Sequence, residues 1–471
     1  MVDLTIADGR IAAALDVPAD EVIDLDGRWV QPGLWDSHVH FGQWALLSRR
    51  LDVSGAGSAA EVAALVRGEL ERHPPEAGAV LIGHGFRDGL WPDAPAAELL
   101  EFGDIPVAMI SGDVHSLWAN RALLRMLGLP ESEFLLREQA AFDVNVRLSA
   151  VPEAQRDAWA LEAAGAAASR GVVGVVDLEM SDAIGSWQRR FGGGFRGLRV
   201  RAGVYPDDLD AVVAAGIRTG QVVDGTAGLL TGGPFKLFTD GSLNTRTAWC
   251  YDDYAGLSGP DAAGLAIHPA DELLGLARAA VAHGLVPAIH AIGDRATTLA
   301  LNTFEALGPL PVSGSVEHAQ LVIDADLPRF ARLGVRASVQ PEHAMDDREV
   351  ADHYWAGRTG RAFAYRALWQ AGAELALGSD APVAPLDPWV TLSAAVSRSR
   401  DGREPWHPEQ ALPIEAALVA SRGGAGDLVP GGLADLVVTE LNPVNATGEQ
   451  LRHMPVFATM VAGEWSYRSQ P

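Results

Sequence analysis

A (β/α)8 barrel carrying a small β-domain built from both chain ends is the fold class this sequence predicts. Two patterns predict it. From about residue 150 onward, helix-like stretches end in glycine and pass at once into short apolar runs: "AAASRG-VVGVVD", "AAVAHG-LVPAIH", "RFARLG-VRASVQ" and "LWQAG-AELALGSD". Glycine there suits the left-handed position that closes a helix. The runs that follow suit strands covered on both faces, and helix then strand, repeated, means parallel strands joined by helical crossovers. Both ends alternate instead, as in "DLTIADGRIAAAL" and "EVIDLDGRWVQPG" at the front and "GGLADLVVTELNP" and "MPVFATMVAGEWSYR" at the back. The length of 471 residues is right for a large barrel with an accessory domain. An open doubly wound sheet is the structural alternative, weakened by the lack of a glycine-rich dinucleotide loop after an early strand.

Taken in order, residues 1–33 supply strands that join residues 425–471 in a β-sandwich. Residues 34–424 form the barrel. Its first strand is "GLWDSHVHF". The stretch 50–150 is longer than one crossover needs and holds a helix, "SAAEVAALVRGELERH", with two strand-like runs, "AVLIGHGF" and "IPVAMISGD". It is expected to be an insertion after the first barrel strand that shapes the pocket. "PGGLADLVV" near residue 435 is a turn into a strand of the β-domain.

Composition narrows the function. A formal charge of −25 and no basic stripe argue against a nucleic-acid partner. One cysteine, Cys250, excludes an internal disulfide framework and fits a reducing, cytoplasmic setting. The first residues lack the basic and apolar regions of a signal peptide, and no apolar run reaches membrane-spanning length.

Chemistry-bearing residues cluster at predicted strand ends. Residues two apart on a strand face the same way, so His38 and His40 point together into the barrel mouth, where active sites of this architecture lie. One such pair among 13 histidines is weak evidence. "LVPAIHAIGD" ends in His290, "GSVEHAQ" in His318 and "AELALGSDAPV" in Asp380. By parity with Val286 and Ala288, His290 faces in, and by parity with Ala376 and Gly378 so does Asp380. Imidazoles and a carboxylate converging on one mouth suit a divalent transition metal. The alternative for each is a hydrogen-bonded buried polar residue.

Lys236, in "PFKLFTD", is the only lysine, against 35 arginines. Its bland reading is an ammonium paired with Asp240. Arginine would pair at least as well, so a retained lysine suggests amine chemistry, such as a Schiff base or a carbamate formed with carbon dioxide.

The segments "PGLWDSHVHF", "KLFTDGSLNTRTA", "HAIGDRA", "VEHAQ", "SVQPEH", "LGSDAPV" and "GGLADLVV", in this order, resemble the amidohydrolase superfamily. The branch resembled is the amidohydrolase-3 branch, which includes N-substituted formamide deformylases and many metal-dependent hydrolases. The resemblance spans almost the whole chain. It implies a (β/α)8 barrel with a terminal β-sandwich. It implies metal ligands at His38, His40, His290 and His318, Asp380 as ligand and proton shuttle, and an N-carboxylated Lys236 bridging two metals, usually zinc. Ser315 is a departure, since arginine often precedes the "EH" motif. The activity implied is hydrolysis of a small-molecule amide, such as an N-acyl or N-formyl amine. Ester, lactone or cyclic-amide hydrolysis is the alternative at the same site, and a non-catalytic binding barrel a remote one. A homodimer follows only from family habit.

His343, in "QPEHAMDD", is out of register with the other ligands and stays open between a pocket hydrogen-bond donor and a structural histidine. Weaker pocket candidates are Asp113, His115 and Trp118 in "SGDVHSLWANRA", Arg87 and Trp91 in "GHGFRDGLW", and Arg246 in "DGSLNTRTAW". The arginines would hold a substrate carboxylate, against ordinary surface ion pairing. Phe41, Trp44 and Trp91 would line an apolar wall, although aromatic residues are more often core.

Overall fold

Eight parallel strands form the centre of the computed structural model, which describes residues 3–13, 20–76, 78–86, 88, 91–111, 116–137 and 139–469. They are β1 (Leu34–Val39), β2 (Val172–Asp177), β3 (Arg199–Val204), β4 (Leu230–Phe238), β5 (Pro287–Ala291), β6 (Ser315–His318), β7 (Arg336–Val339) and β8 (Leu375–Leu377). Each pairs in parallel with the next along the chain. The ring closes between β1 and the residues after β8. There the Asp380 N–H donates to the His38 carbonyl (2.7 Å) and the His40 N–H to the Ala381 carbonyl (2.8 Å). This is the barrel expected from the alternating pattern.

The glycine rhythm has the predicted cause. Helices Glu153–Ala168, Ala270–Ala282, Leu327–Leu333 and Tyr365–Gln370 are followed by Gly171, Gly284, Gly334 and Gly372 at φ of 84°, 79°, 65° and 86°. Only glycine takes that conformation without a Cβ penalty. Each turn then feeds a strand whose residues are largely buried, because helices cover the outside of the ring and side chains fill its inside.

The chain ends meet as anticipated. Trp29–Pro32 pairs antiparallel with Leu436–Thr439, which pairs with Val456–Val461 and then Glu464–Arg468. A hairpin, Thr5–Ala7 with Arg10–Ala12, packs Ile6 and Ile11 onto the apolar face formed by Leu436, Val438, Ala458 and Met460. Asp435 ties this sheet to the barrel floor: its carboxylate accepts from Arg199 Nε (2.5 Å), Arg199 Nη2 (3.1 Å) and the Ala462 N–H (2.7 Å).

By internal contacts the chain divides into two units, residues 1–41 with 164–471, and residues 42–163. The terminal β-structure and the barrel share the first. The second, expected as an insertion over 50–150, is built on a five-stranded sheet. Leu51–Asp52, Leu81–Phe86 and Val107–Ser111 run parallel, and Ser116–Ala119 and Leu135–Arg137 are added antiparallel. It has its own core around Val62, Val66, Phe86, Met109 and Trp118. Among the described residues no helix is long and apolar enough to cross a membrane.

Candidate metal centre

Strand ends β1, β4, β5, β6 and β8, with the first turn after β7, bring Lys236, Asp380 and five histidines to one place. β1 delivers His38 and His40 by simple alternation. Asp36, on the same face, fixes that strand end: its carboxylate accepts the N–H groups of His38 (3.1 Å) and Ser379 (2.9 Å), joining the first and last strands. The approach is so close that a Cβ on Gly378 would lie 2.7 Å from the His38 nitrogen and 2.9 Å from the Asp36 carboxylate, which only glycine avoids.

Asp380 does not reach the mouth by strand parity. β8 ends at Leu377, and Asp380 is turned inward by a left-handed backbone (φ 58°). His318 ends β6 in the same way, at φ 75°. Non-glycine residues in this region are strained and are tolerated where the surroundings over-determine them, often at functional sites.

The side chains then converge. His38 Nε2 and His40 Nε2 each lie 3.4 Å from Asp380 Oδ1, and His343 Nε2 lies 3.8 Å from Asp380 Oδ2. Two groups have the spacing to hold a cation: His38, His40 and Asp380, and His318, His343 and Asp380. His290 stands beside them, its ring centroid 4.5 Å from that of His318, which is 4.9 Å from that of His38. All the sequence-predicted ligands therefore meet. His343, out of register in the sequence, meets them too, because it opens the short helix His343–Asp346 rather than extending β7.

Lys236 stands in β4 with the pairing that puts it beside Ala288 of β5. It is 1% exposed and its Nζ has no hydrogen-bond partner. The bland reading fails on geometry. The carboxylate of Asp240 is occupied by the N–H groups of Trp249 (2.8 Å), Ile292 (3.0 Å) and Gly293 (2.8 Å), so it holds the loops after β4 and β5 rather than the amine. Burial pulls the Lys236 pKa down, against the opposing fields of Glu317 and Asp380.

Electrostatics follow from desolvation. Burial, then the Lys236 charge, lowers the His38 pKa and brings that of His290 to about 3; burial and neighbouring His290 hold His318 well below its ordinary value. The shifts favour the neutral form of these imidazoles, in which nitrogen binds a metal. Burial would raise Asp380, but His38, the hydrogen bond of His40, His318 and His343 outweigh it and hold the carboxyl well below the usual range. It is ionised.

A second layer orients these groups, and reading the sequence for ligands alone misses it. Glu317 Oε2 accepts from His38 Nδ1 (2.6 Å), and Ser315 Oγ donates to Glu317 Oε1 (2.5 Å). Burial opposes ionisation of Glu317, yet the His38 hydrogen bond and charge, Lys236 and Ser315 bring its pKa to about 2. His318 Nδ1 donates to Gln340 Oε1 (2.8 Å), and His290 Nε2 to the Gly241 carbonyl (3.3 Å). Such partners fix ring orientation in metal sites. Parity with His38 would have flagged Asp36; no periodicity flags Glu317.

The weaker candidates divide. Asp113, His115 and Arg87 lie outside the described residues. Trp91 packs on the core of the second unit, 5.9 Å from the Phe86 ring, with its indole N–H on the Ala56 carbonyl (3.2 Å). Trp118 is fully buried in that core. Phe41, expected in a pocket wall, is a core residue, fully buried 5.1 Å from the Trp187 ring. Arg246 is exposed, at φ 58°, with its guanidinium over the Tyr354 ring.

The donor set fits a divalent cation: imidazoles shifted toward the neutral form, an ionised carboxylate, and buried polar atoms on Lys236 and His40 that no protein group satisfies. Comparison with known proteins decides the lineage. Residues 21–467 match the model of the amidohydrolase family. The chain belongs to that family. It is 28% identical to the putative amidohydrolase YtcJ of Bacillus subtilis, over 97% of this chain and 92% of that protein. It is 24% identical to N-substituted formamide deformylase of Arthrobacter pascens, over 97% and 91%. Among solved structures, an uncharacterized metal-dependent hydrolase from Pyrococcus horikoshii superposes with a TM-score of 0.79 at 27% identity, covering 95% of each chain. The family and the site together make this amidohydrolase a metal-dependent hydrolase.

Proposed function

We propose that this amidohydrolase cleaves the C–N bond of a small N-acyl or N-formyl amine, with zinc as its metal and Lys236 as a carbamate bridging two ions. The observation that carries the reading is the convergence of His38, His40, His318 and His343 on one ionised carboxylate beside an unpartnered buried amine. The deformylase relative supports the choice of bond.

His38, His40 and Asp380 would hold one ion, and His290 and His318 the other, with Lys236 between them. A metal bound there would supply a water of lowered pKa and a Lewis acid for the carbonyl. The chain's own residues do the rest. Burial favours neutral Lys236, whose nitrogen adds to carbon dioxide and loses a proton, giving an anionic two-oxygen group. Asp380, whose carboxyl is held well below the usual range, accepts a proton from water as the water oxygen adds to the carbonyl carbon. It returns that proton to the nitrogen as the C–N bond breaks. Amide and water become a carboxylic acid and an amine. Glu317 and Gln340 keep His38 and His318 in the tautomers that face the centre with a lone pair.

Asp380→Asn keeps the shape and removes the proton acceptor. A loss of turnover of about 10²–10⁴-fold is expected on N-formyl and N-acyl amines. Metals per chain by elemental mass spectrometry, with matched amide and ester substrates, complete the test. Full activity in the variant would refute the mechanism, and turnover of esters alone would move the assignment to another bond.

A further inference from the structure

A neutral imidazole has one N–H and one lone pair, so the partner on its outer nitrogen decides what the inner nitrogen offers. Three rings at the mouth are held by acceptors. An ionised carboxylate can only accept, so His38 Nδ1 carries the hydrogen and Nε2 presents a lone pair. Gln340 directs its oxygen at His318 Nδ1 (2.8 Å) and its nitrogen at the Ser338 carbonyl (3.4 Å), which gives His318 the same tautomer. The Gly241 carbonyl accepts from His290 Nε2, leaving Nδ1 with the lone pair.

His343 is held the opposite way. The atom facing its Nδ1 is the amide nitrogen of Gln320 (3.4 Å), a donor. Nδ1 is therefore the acceptor and Nε2 carries the hydrogen. That Nε2 is buried, has no hydrogen-bond partner, and stands 3.8 Å from Asp380 Oδ2. The ring is only 5% exposed, and its backbone is anchored. The preceding residue, Glu342, is gripped by Arg452 through both nitrogens (2.9 and 3.1 Å) and by Arg400 (2.9 Å). Asp347, at the other end of the short helix, accepts from Asn244 (2.7 Å).

We propose that His343 is a catalytic hydrogen-bond donor, its Nε2–H aimed at the carbonyl oxygen of the substrate, and that it is not a metal ligand. This rests on the reading of the site as one that hydrolyses a carbonyl compound. A fixed donor in a dry site stabilises the charge that builds on that oxygen as water adds, without reorganising. The spacing that places His343 in a cation-binding group is then the spacing of a donor beside the reacting carbonyl.

The test begins with metals per chain in the purified holoenzyme and in His343→Ala. Equal stoichiometry is expected; loss of about one ion in the variant would overturn the proposal. This arm needs no substrate, so it stands even where the wild type fails to cleave amides, a failure that would instead sink the reading of the reaction. On any substrate that is turned over, His343→Ala is expected to lower kcat by about 10²–10³-fold with little change in KM, the scale of losing one oxyanion donor. Partial recovery is expected in His343→Asn, which keeps a donor. Wild-type kcat in His343→Ala would overturn the proposal. Nitrogen NMR of labelled histidine in the holoenzyme reads the tautomer directly: a protonated Nε2 on His343 is expected, and scalar coupling of that nitrogen to cadmium exchanged into the site would overturn it. Gln320→Glu puts an acceptor on Nδ1 and reverses the tautomer. It is expected to lower kcat as far as removal of the ring does, which a purely structural role would not produce.

Discussion

Asp36, Asp177 and Asp240 stand at the C-terminal ends of barrel strands, as do Lys236 and His40, with His343 in the first turn after β7; all six are buried or nearly so, yet the two sets are built differently. The three carboxylates are fully used. Asp36 accepts two backbone N–H groups, Asp240 three, and Asp177 those of Phe41 and Glu179 together with the Trp187 indole. The three bases each keep an atom with no partner: Lys236 Nζ, His40 Nδ1 and His343 Nε2. A buried polar atom without a partner costs on the order of 1–3 kcal/mol. The first set holds the loops in place, and the second is incomplete until something binds. Stability and function should therefore separate between neighbours.

The sharpest way to break the comparison is Lys236→Met. It removes a buried amine with no partner and replaces it with an apolar chain of similar length. Turnover should fall by about three orders of magnitude, the scale of losing a principal electrostatic group. The metal-free protein should melt no lower than the wild type. A melting temperature several degrees lower would make the lysine structural.

Asp240→Ala tests the other side. Three backbone N–H groups lose their acceptor at once, and the loops after β4 and β5 lose their tie. A destabilisation of roughly 3 kcal/mol is expected from the unpaired buried donors. Hydrogen exchange at Trp249, Ile292 and Gly293 should accelerate, and denaturant unfolding of the metal-free protein reports the loss. Unchanged protection at these amides would remove Asp240 from the structural set.

Glu317→Gln probes the boundary between the sets, since Glu317 is itself satisfied but exists to aim His38. Chelator competition should show metal affinity weaker by about 10–100-fold, as for other outer partners of metal ligands. The melting temperature of the metal-free form should move little. Equal metal affinity would mean that backbone geometry alone orients His38.

How far these roles could be read in the sequence follows the same division. The helix–glycine–strand rhythm made the barrel legible, because a left-handed helix end needs glycine and a doubly covered strand needs an apolar run. Alternation along β1 made His38 and His40 legible, and the lone lysine among arginines drew attention to Lys236. Asp380 was found for an incomplete reason: its inward aim comes from a φ of 58°, which parity does not encode. His343 is out of register with the strand-end ligands because a helix begins there and strand alternation no longer applies. Glu317, Gln320 and Gln340 are not legible in the sequence, since their roles depend on which atom faces which ring across separate strands. The direction of a tautomer is a property of the folded network, not of spacing.

The smallest expected effect concerns pH and isolates one carboxylate. Burial raises the Asp36 pKa from an ordinary 3.8 to about 7, with the Ser379 and His38 hydrogen bonds pulling it back only in part. The folded state thus holds this proton more tightly than the unfolded chain does. Its contribution to stability is complete below about pH 4 and is lost as pH rises toward 7. Asp177 and Asp240 act in the same direction, raised by burial to about 6 and about 7. His38, His290 and His318 act in the opposite one, because their lowered values favour folding at higher pH. The net profile of the metal-free protein therefore says little about any one group, but a difference does. Asp36→Asn keeps an oxygen for the His38 and Ser379 N–H groups and cannot titrate. Relative to the wild type, the variant should gain stability by about 1 kcal/mol between pH 5 and 6 and level off above pH 7. A difference that stays flat from pH 4 to 7 would mean that the two N–H donors keep Asp36 ionised throughout. Asp36 would then be a fully satisfied charge, and its contrast with the unpartnered bases at the mouth would be larger than the wild-type profile shows.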